Sequence, residues 1–302
     1  MVEKLFIKDI TPCDELYRII RDENRTSVVE LKCYMEKLWG TYYPYADKDF
    51  KKQLAQDFDA RFWEMYLTCT LVHKSYEVVP KQGRARGPDI KIENASANIW
   101  IEAVTPTSGE SRKPDSVRTP RMGVAEEIPD EQITLRYRSA IHDKYFDKYF
   151  KYVESGIIRR EDCYIIALNS CRIPWAGHGD YEPPRIVRSV LPFGWEVVTV
   201  STISHTAVKS GNQYRPHLRK ASGDKVDTDI FLKTEYSHIS AVMSSHVNVA
   251  NTTSGMGDDF IIVNNPLALK KLPEDFPRVG RKYEVNLSDK KVKVFPRNLG
   301  QN

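Results

Sequence analysis

Two short runs with a period of two, residues 88–92 and 99–104, limit the fold of this chain more than any other feature. In the first, Ile90 and Ile92 alternate with Asp89 and Lys91; in the second, Ile99, Ile101 and Ala103 alternate with Trp100, Glu102 and Val104. Such alternation marks strands that bury one face. The link at 93–98 is small and polar, suited to a hairpin turn. Centring the hairpin between Ala95 and Ser96 pairs Ile90 with Ile101 and Ile92 with Ile99, which gathers the apolar residues on one face. The same register sets Asp89 opposite Glu102. Like charges directly opposite are destabilising, and a bound divalent cation would turn that cost to use. Carboxylate oxygens carried on Cβ atoms roughly 5 Å apart suit Mg²⁺, which takes one or two carboxylates and completes its shell with water and phosphate oxygens.

The flanking patterns alternate helix and strand. Residues 26–39 read as a helix ended by Gly40. A second helix is expected over 48–73, where Phe58, Phe62, Met65, Tyr66, Cys69 and Val72 form an apolar stripe. Trp63, Leu67 and Leu71 add apolar groups on its far side, so it should be well buried. A strand at 76–79 precedes the hairpin. Residues 105–130 carry four prolines among charges and read as a long loop. A third helix follows over 131–155, ended near Gly156, and the apolar run 164–168 fits a strand buried on both faces.

The order helix, three strands, helix, strand predicts an α/β sandwich. We expect an N-terminal helical segment (1–46), a core (47–170) and a C-terminal extension (171–302) of loops and short strands at 195–200, 239–243, 260–263 and 282–285. The extension should lengthen the same sheet and leave one compact domain.

Composition narrows the setting. The 302 residues carry a formal charge of +4, which permits a polyanionic partner without demanding one. The amino terminus has no apolar core long enough for a signal peptide, and no run approaches a membrane span. The five cysteines are odd in number and lack a Cys-x-x-Cys pair, which disfavours zinc-ribbon and disulfide frameworks and fits a cytoplasmic protein.

Pro88-Asp89, Glu102 on the next strand and a preceding helix with Glu64 together resemble the PD-(D/E)XK nuclease superfamily. The resemblance covers residues 47–170 and implies a restriction-endonuclease-like αβββαβ sandwich core. It also implies hydrolysis of phosphodiester bonds with Mg²⁺ or Mn²⁺ held by Asp89 and Glu102, Glu64 assisting. DNA is favoured over RNA, endonucleolytic action in defence or restriction fits by analogy, and a homodimer is compatible. One departure stands out: the family's lysine should fall at position 104, which is Val104. Lys144 is the first candidate for the relocated cation, because it continues the stripe of Ile133, Tyr137 and Ala140 on the third helix. Arg136, Gln132 and Lys91 are alternatives. Without that cation the chain would be a catalytically inactive nucleic-acid-binding or assembly module on the same fold.

Two basic loops flank the hairpin: Lys81, Arg84 and Arg86 before it, and Arg112, Lys113, Arg118 and Arg121 after it. They could contact backbone phosphates. The bland reading of each site residue is ordinary: Glu102 as a solvated strand residue, Glu64 in an exposed i,i+3 pair with Arg61, Lys144 lying along the helix surface. Three further motifs lack the context their chemistry needs: His178-x-Asp180, the glycines at 255 and 257, and Ser204-His205.

Overall fold

The computed structural model describes residues 3–82, 87–94, 97–286 and 293–298. The helices are α1 (Glu15–Asp22), α2 (Thr26–Tyr42), α3 (Phe50–Leu54), α4 (Phe58–His73), α5 (Asp130–Lys144), α6 (Phe150–Glu154) and α7 (Arg185–Val190). A single π-turn, Tyr145–Tyr149, joins α5 to α6. The strands are β1 (Ile90–Ile92), β2 (Ile99–Val104), β3 (Cys163–Asn169), β4 (Phe193–Val200), β5 (Ala207–Tyr214), β6 (His217–Arg219), β7 (Lys225–Asp227), β8 (Ala241–Ser245), β9 (Ile261–Asn264), β10 (Arg281–Asn286) and β11 (Lys293–Asn298).

Seven strands form one mixed sheet in the order β1-β2-β3-β8-β9-β10-β11. β2, β3 and β8 run parallel, β1 pairs antiparallel with β2, and β8 pairs antiparallel with β9. Helices cover both faces, so the fold is mixed α/β. On one face Ile99, Ile101, Ile165, Ala167 and Met243 pack with Phe62, Trp63 and Tyr66 of α4 and with the N-terminal helices. On the other, Trp100, Tyr164, Ile166, Leu168 and Val242 pack with Ile133, Tyr137 and Ile141 of α5 and with α7. The two-residue period of a strand dictates this division. Trp63 ties α4 to the sheet through its Nε1–H, which donates to the Ala167 carbonyl at 3.0 Å.

The hairpin register is the one expected, Ile90 with Ile101 and Ile92 with Ile99. Its turn at Ala95 and Ser96 lies outside the described residues. α4 is buried along almost its whole length, as its two-sided apolar pattern requires.

Other expectations need correction. α2 continues through Gly40 to Tyr42, where packing outweighs the weak helix preference of glycine. The helix expected over 48–73 is two helices, because Asp57 turns out of the helical region and caps α4, accepting the Ala60 N–H at 3.3 Å. The strand at 76–79 is a single bridge, Val78 to Ile92. Residues 195–200 belong to β4, which pairs with β5 in a separate two-stranded ribbon and does not extend the main sheet. The later strands β8, β9 and β10 do extend it. No helix among the described residues is long and apolar enough to cross a membrane.

α1 was not anticipated. Its start is set by Asp14, whose Oδ1 accepts the N–H groups of Leu16 and Tyr17 at 2.9 and 3.1 Å. The other oxygen accepts the Phe58 N–H at 3.0 Å, so one carboxylate caps α1 and anchors the start of α4. Asp14→Ala should therefore cost about 1–2 kcal/mol in a denaturant titration, and Asp14→Asn, which keeps one acceptor but turns an amide N–H toward the other backbone N–H, should recover only part of it.

Candidate functional site

Glu102 lies on the Trp100 face of β2, beneath α5 and α6, and is only 4% exposed. Two side chains from that layer meet it. Lys144 Nζ donates to Oε1 at 2.6 Å, and the Tyr152 hydroxyl donates to Oε2 at 3.2 Å. Lys144 closes α5, while Tyr152 lies on α6 beyond the π-turn.

Asp89 immediately precedes β1, the edge strand, and the register carried one residue further sets it opposite Glu102. Its Oδ2 accepts the Ala103 N–H at 2.8 Å, which binds it across to the next strand. From this edge its charge acts on Glu102 and also on Glu64 of the opposite layer.

Glu64 is 1% exposed. It accepts the Tyr42 hydroxyl at 2.7 Å and forms ion pairs with Arg61 and Lys81. The i,i+3 pair with Arg61 is present, with its carboxylate buried. Lys81 Nζ also lies 3.9 Å from Asp89 Oδ1 and 3.8 Å from Asp47 Oδ2, so it links three carboxylates.

Burial, then the charge of Asp89, drives the Glu102 carboxyl from an ordinary 4.5 up to about 7; Lys144 and Tyr152 oppose the rise. Burial and Asp89 likewise raise the Glu64 carboxyl, with Lys81 and Arg61 pulling it back. Burial and the Glu64 charge hold the Tyr42 phenol far above its usual range. Asp89 thus repels an acid in each layer, Glu102 on one side and Glu64 on the other.

The donor set bears on a metal directly. No group of three or more His, Cys, Asp or Glu residues among those described surrounds a common point. Mg²⁺ asks of a protein only one or two carboxylates when phosphate and water supply the remaining oxygens. Lys81, Arg61 and Lys144 offset the acids meanwhile.

The remaining predicted residues lie elsewhere. The Arg136 Nε–H donates to the Thr107 carbonyl at 2.9 Å, and the residue sits about 12 Å along the helix from Lys144, so it is not the relocated cation at Glu102. Gln132 lines a different cavity beside Asp130 and Arg185. Lys91 pairs with Glu93 at 3.1 Å and rests over the Trp100 ring. Lys81 belongs to the acidic cluster more than to an open basic loop. Arg84 and Arg86 lie outside the described residues. Arg112 and Arg118 are exposed, Lys113 pairs with Glu110, and Arg121 pairs with Glu126.

The set-aside motifs have structural work: Asp180 accepts the Arg185 N–H, and Ser204 Oγ bonds Thr206 Oγ1. Tyr42 and Tyr152 went unnoticed in the sequence. Tyrosines carry no spacing signal of their own, and only the packing of α2 and α6 brings them to the carboxylates.

A carboxyl whose value in the fold exceeds that in the unfolded chain stabilises the fold while protonated. For Glu102 that contribution is complete below about pH 4.5 and is lost as pH rises through about 7. Glu102→Gln stays neutral throughout. Without added metal the substitution should be more favourable at pH 8 than at pH 5, with the gain at pH 8 reduced because Lys144 loses its anionic partner, as read by denaturant unfolding.

No family model, curated protein or solved structure matches this chain, so the site is read from its own geometry.

Proposed function

We propose that the protein is a metal-dependent phosphodiesterase of nuclease type, acting on nucleic acid, on a restriction-endonuclease-like core. The observation that carries this reading is the 2.6 Å contact between Lys144 Nζ and Glu102 Oε1, beside Asp89. It puts a cation beside the acidic pair although Val104 occupies the position where the family has its lysine. The element order in 50–169 supports the core assignment: a buried helix, a bridge, two antiparallel strands, a helix, and a strand parallel to its predecessor.

In this reading Asp89 and Glu102 hold Mg²⁺ or Mn²⁺, with Glu64 supporting from the other layer. The ion when bound supplies Lewis-acid activation of water and of the scissile phosphate. Lys144 orients the attacking water or neutralises charge developing on the phosphate oxygens. Tyr152 keeps the Glu102 carboxylate turned toward Lys144. Lys81, poised between Glu64 and Asp89, can move to a phosphate oxygen of the bound strand. DNA is the first substrate to try, and a dimer cutting both strands is consistent with an endonuclease.

One observation favours a second reading, a binding or assembly module without catalysis. The three carboxylates meet three cations, Lys81, Arg61 and Lys144, within ion-pair distance, so their charges are balanced without metal.

Plasmid DNA and structured RNA incubated with Mg²⁺ or Mn²⁺ separate the two. Cleavage should vanish in Asp89→Ala and Glu102→Ala, and Lys144→Ala should lower its rate by about 10²-fold or more while leaving binding intact. A soluble wild type that binds nucleic acid and cuts none of it removes the enzyme reading. Cleavage indifferent to Lys144→Ala removes the role given to that lysine.

A further inference from the structure

A cavity of about 490 Å³ opens where three segments distant in sequence meet: the outer face of α5, the loop after β2, and the β6–β7 hairpin. Its permanent cations are Lys113, Arg136, Arg138, Lys220 and Lys225, against the acids Asp115 and Asp227. Both acids are engaged already. Asp115 Oδ1 accepts the Ala221 N–H at 2.8 Å, and Asp227 Oδ2 pairs with Lys233 at 2.5 Å. The lining therefore holds a clear excess of positive charge.

Arg138 is the unusual member. It is 5% exposed, and among the described residues no carboxylate pairs with it. Nε donates to the Asp227 carbonyl at 2.8 Å, Nη2 donates to the Tyr236 hydroxyl at 2.6 Å, and the guanidinium lies 5.1 Å from the Tyr236 ring centre. Nη1 is buried without any hydrogen-bond partner. A guanidinium out of water without an anion is costly. A water molecule could satisfy Nη1 but would leave the charge excess of the lining untouched. An anion answers that excess, and it would reach Nη1, which has almost no accessible surface, only with a small shift of the neighbouring side chains; the planar fork of arginine matches phosphate oxygens.

We infer that this cavity is a phosphate-binding site, with Arg138 as its anchor and Lys220 and Lys225 as flanking cations. Its volume suits a small ligand such as a nucleotide, and a phosphate of a nucleic-acid strand offers the same chemistry. The inference stands on the cavity alone and does not require the carboxylate site to be catalytic.

Isothermal titration at low salt with inorganic phosphate, adenosine diphosphate and a short single-stranded DNA tests it. The three proteins compared are the wild type, Arg138→Gln and the double variant Lys220→Ala/Lys225→Ala. Both lysines are exposed at the hairpin turn, so the double variant keeps its fold if Arg138→Gln does not. Arg138→Gln should weaken binding by about tenfold or more, and the lysine variant by several-fold with a shallower salt dependence. Binding of phosphate or the nucleotide supports a free-ligand site, and binding of the oligonucleotide alone supports a backbone-phosphate site. A wild type that binds none of the probes overturns the inference, as does equal affinity in the wild type and the lysine variant.

Discussion

β2 is covered on both sides, and Glu102 interrupts one of its two apolar faces. Ile99 and Ile101 lie under the α4 layer, Trp100 and Glu102 under the α5 layer. A carboxyl in that position must be neutralised by a proton or matched by a cation. Both remedies are visible: its proton affinity is raised, and Lys144 comes from the end of α5 to meet it. The placement of α5 and α6 follows from the same requirement, since the helices that fill the apolar face also carry the groups that satisfy its acid.

Asp89 extends that demand across the sheet. Because β1 is the edge strand, the residue ahead of it acts on both helical layers, Glu102 on one side and Glu64 on the other. Lys81 then serves as common counter-ion to Glu64, Asp89 and Asp47. Removing any one charge would leave the others out of balance, so the acids and bases here behave as one unit in both stability and chemistry.

Local periodicity was enough to reveal the hairpin register, the buried α4, the parallel β3 and the face of α5 that carries Lys144, because each depends on neighbours a few residues apart. The break at Asp57 and the continuation through Gly40 were not legible, since a cap and a packing contact decided them against propensity. The separate β4–β5 ribbon looks like any other strand pair until its sheet partner is known. In the site, Asp89, Glu102 and Lys144 could be named from register and stripe. The pairing of Lys81 with Glu64 and of Arg136 with the Thr107 carbonyl was not legible, because which partner a long basic side chain reaches is settled by tertiary distance.

The π-turn at Tyr145–Tyr149 has a geometric consequence for Glu102. Residues eight apart in an unbroken α-helix differ by about 80° around its axis. The extra residue of a π-turn makes the interval count as seven, about 20° off, so Lys144 and Tyr152 fall on one line facing the same carboxylate. Were the same residues wound as unbroken α-helix, the tyrosine would turn about 100° away while the lysine stayed; deleting one residue between them would remove the π-turn and keep the alignment. The spacing of the two donors is thus set by an insertion in the backbone, and the length of that turn is as much a part of the site as the side chains it aligns.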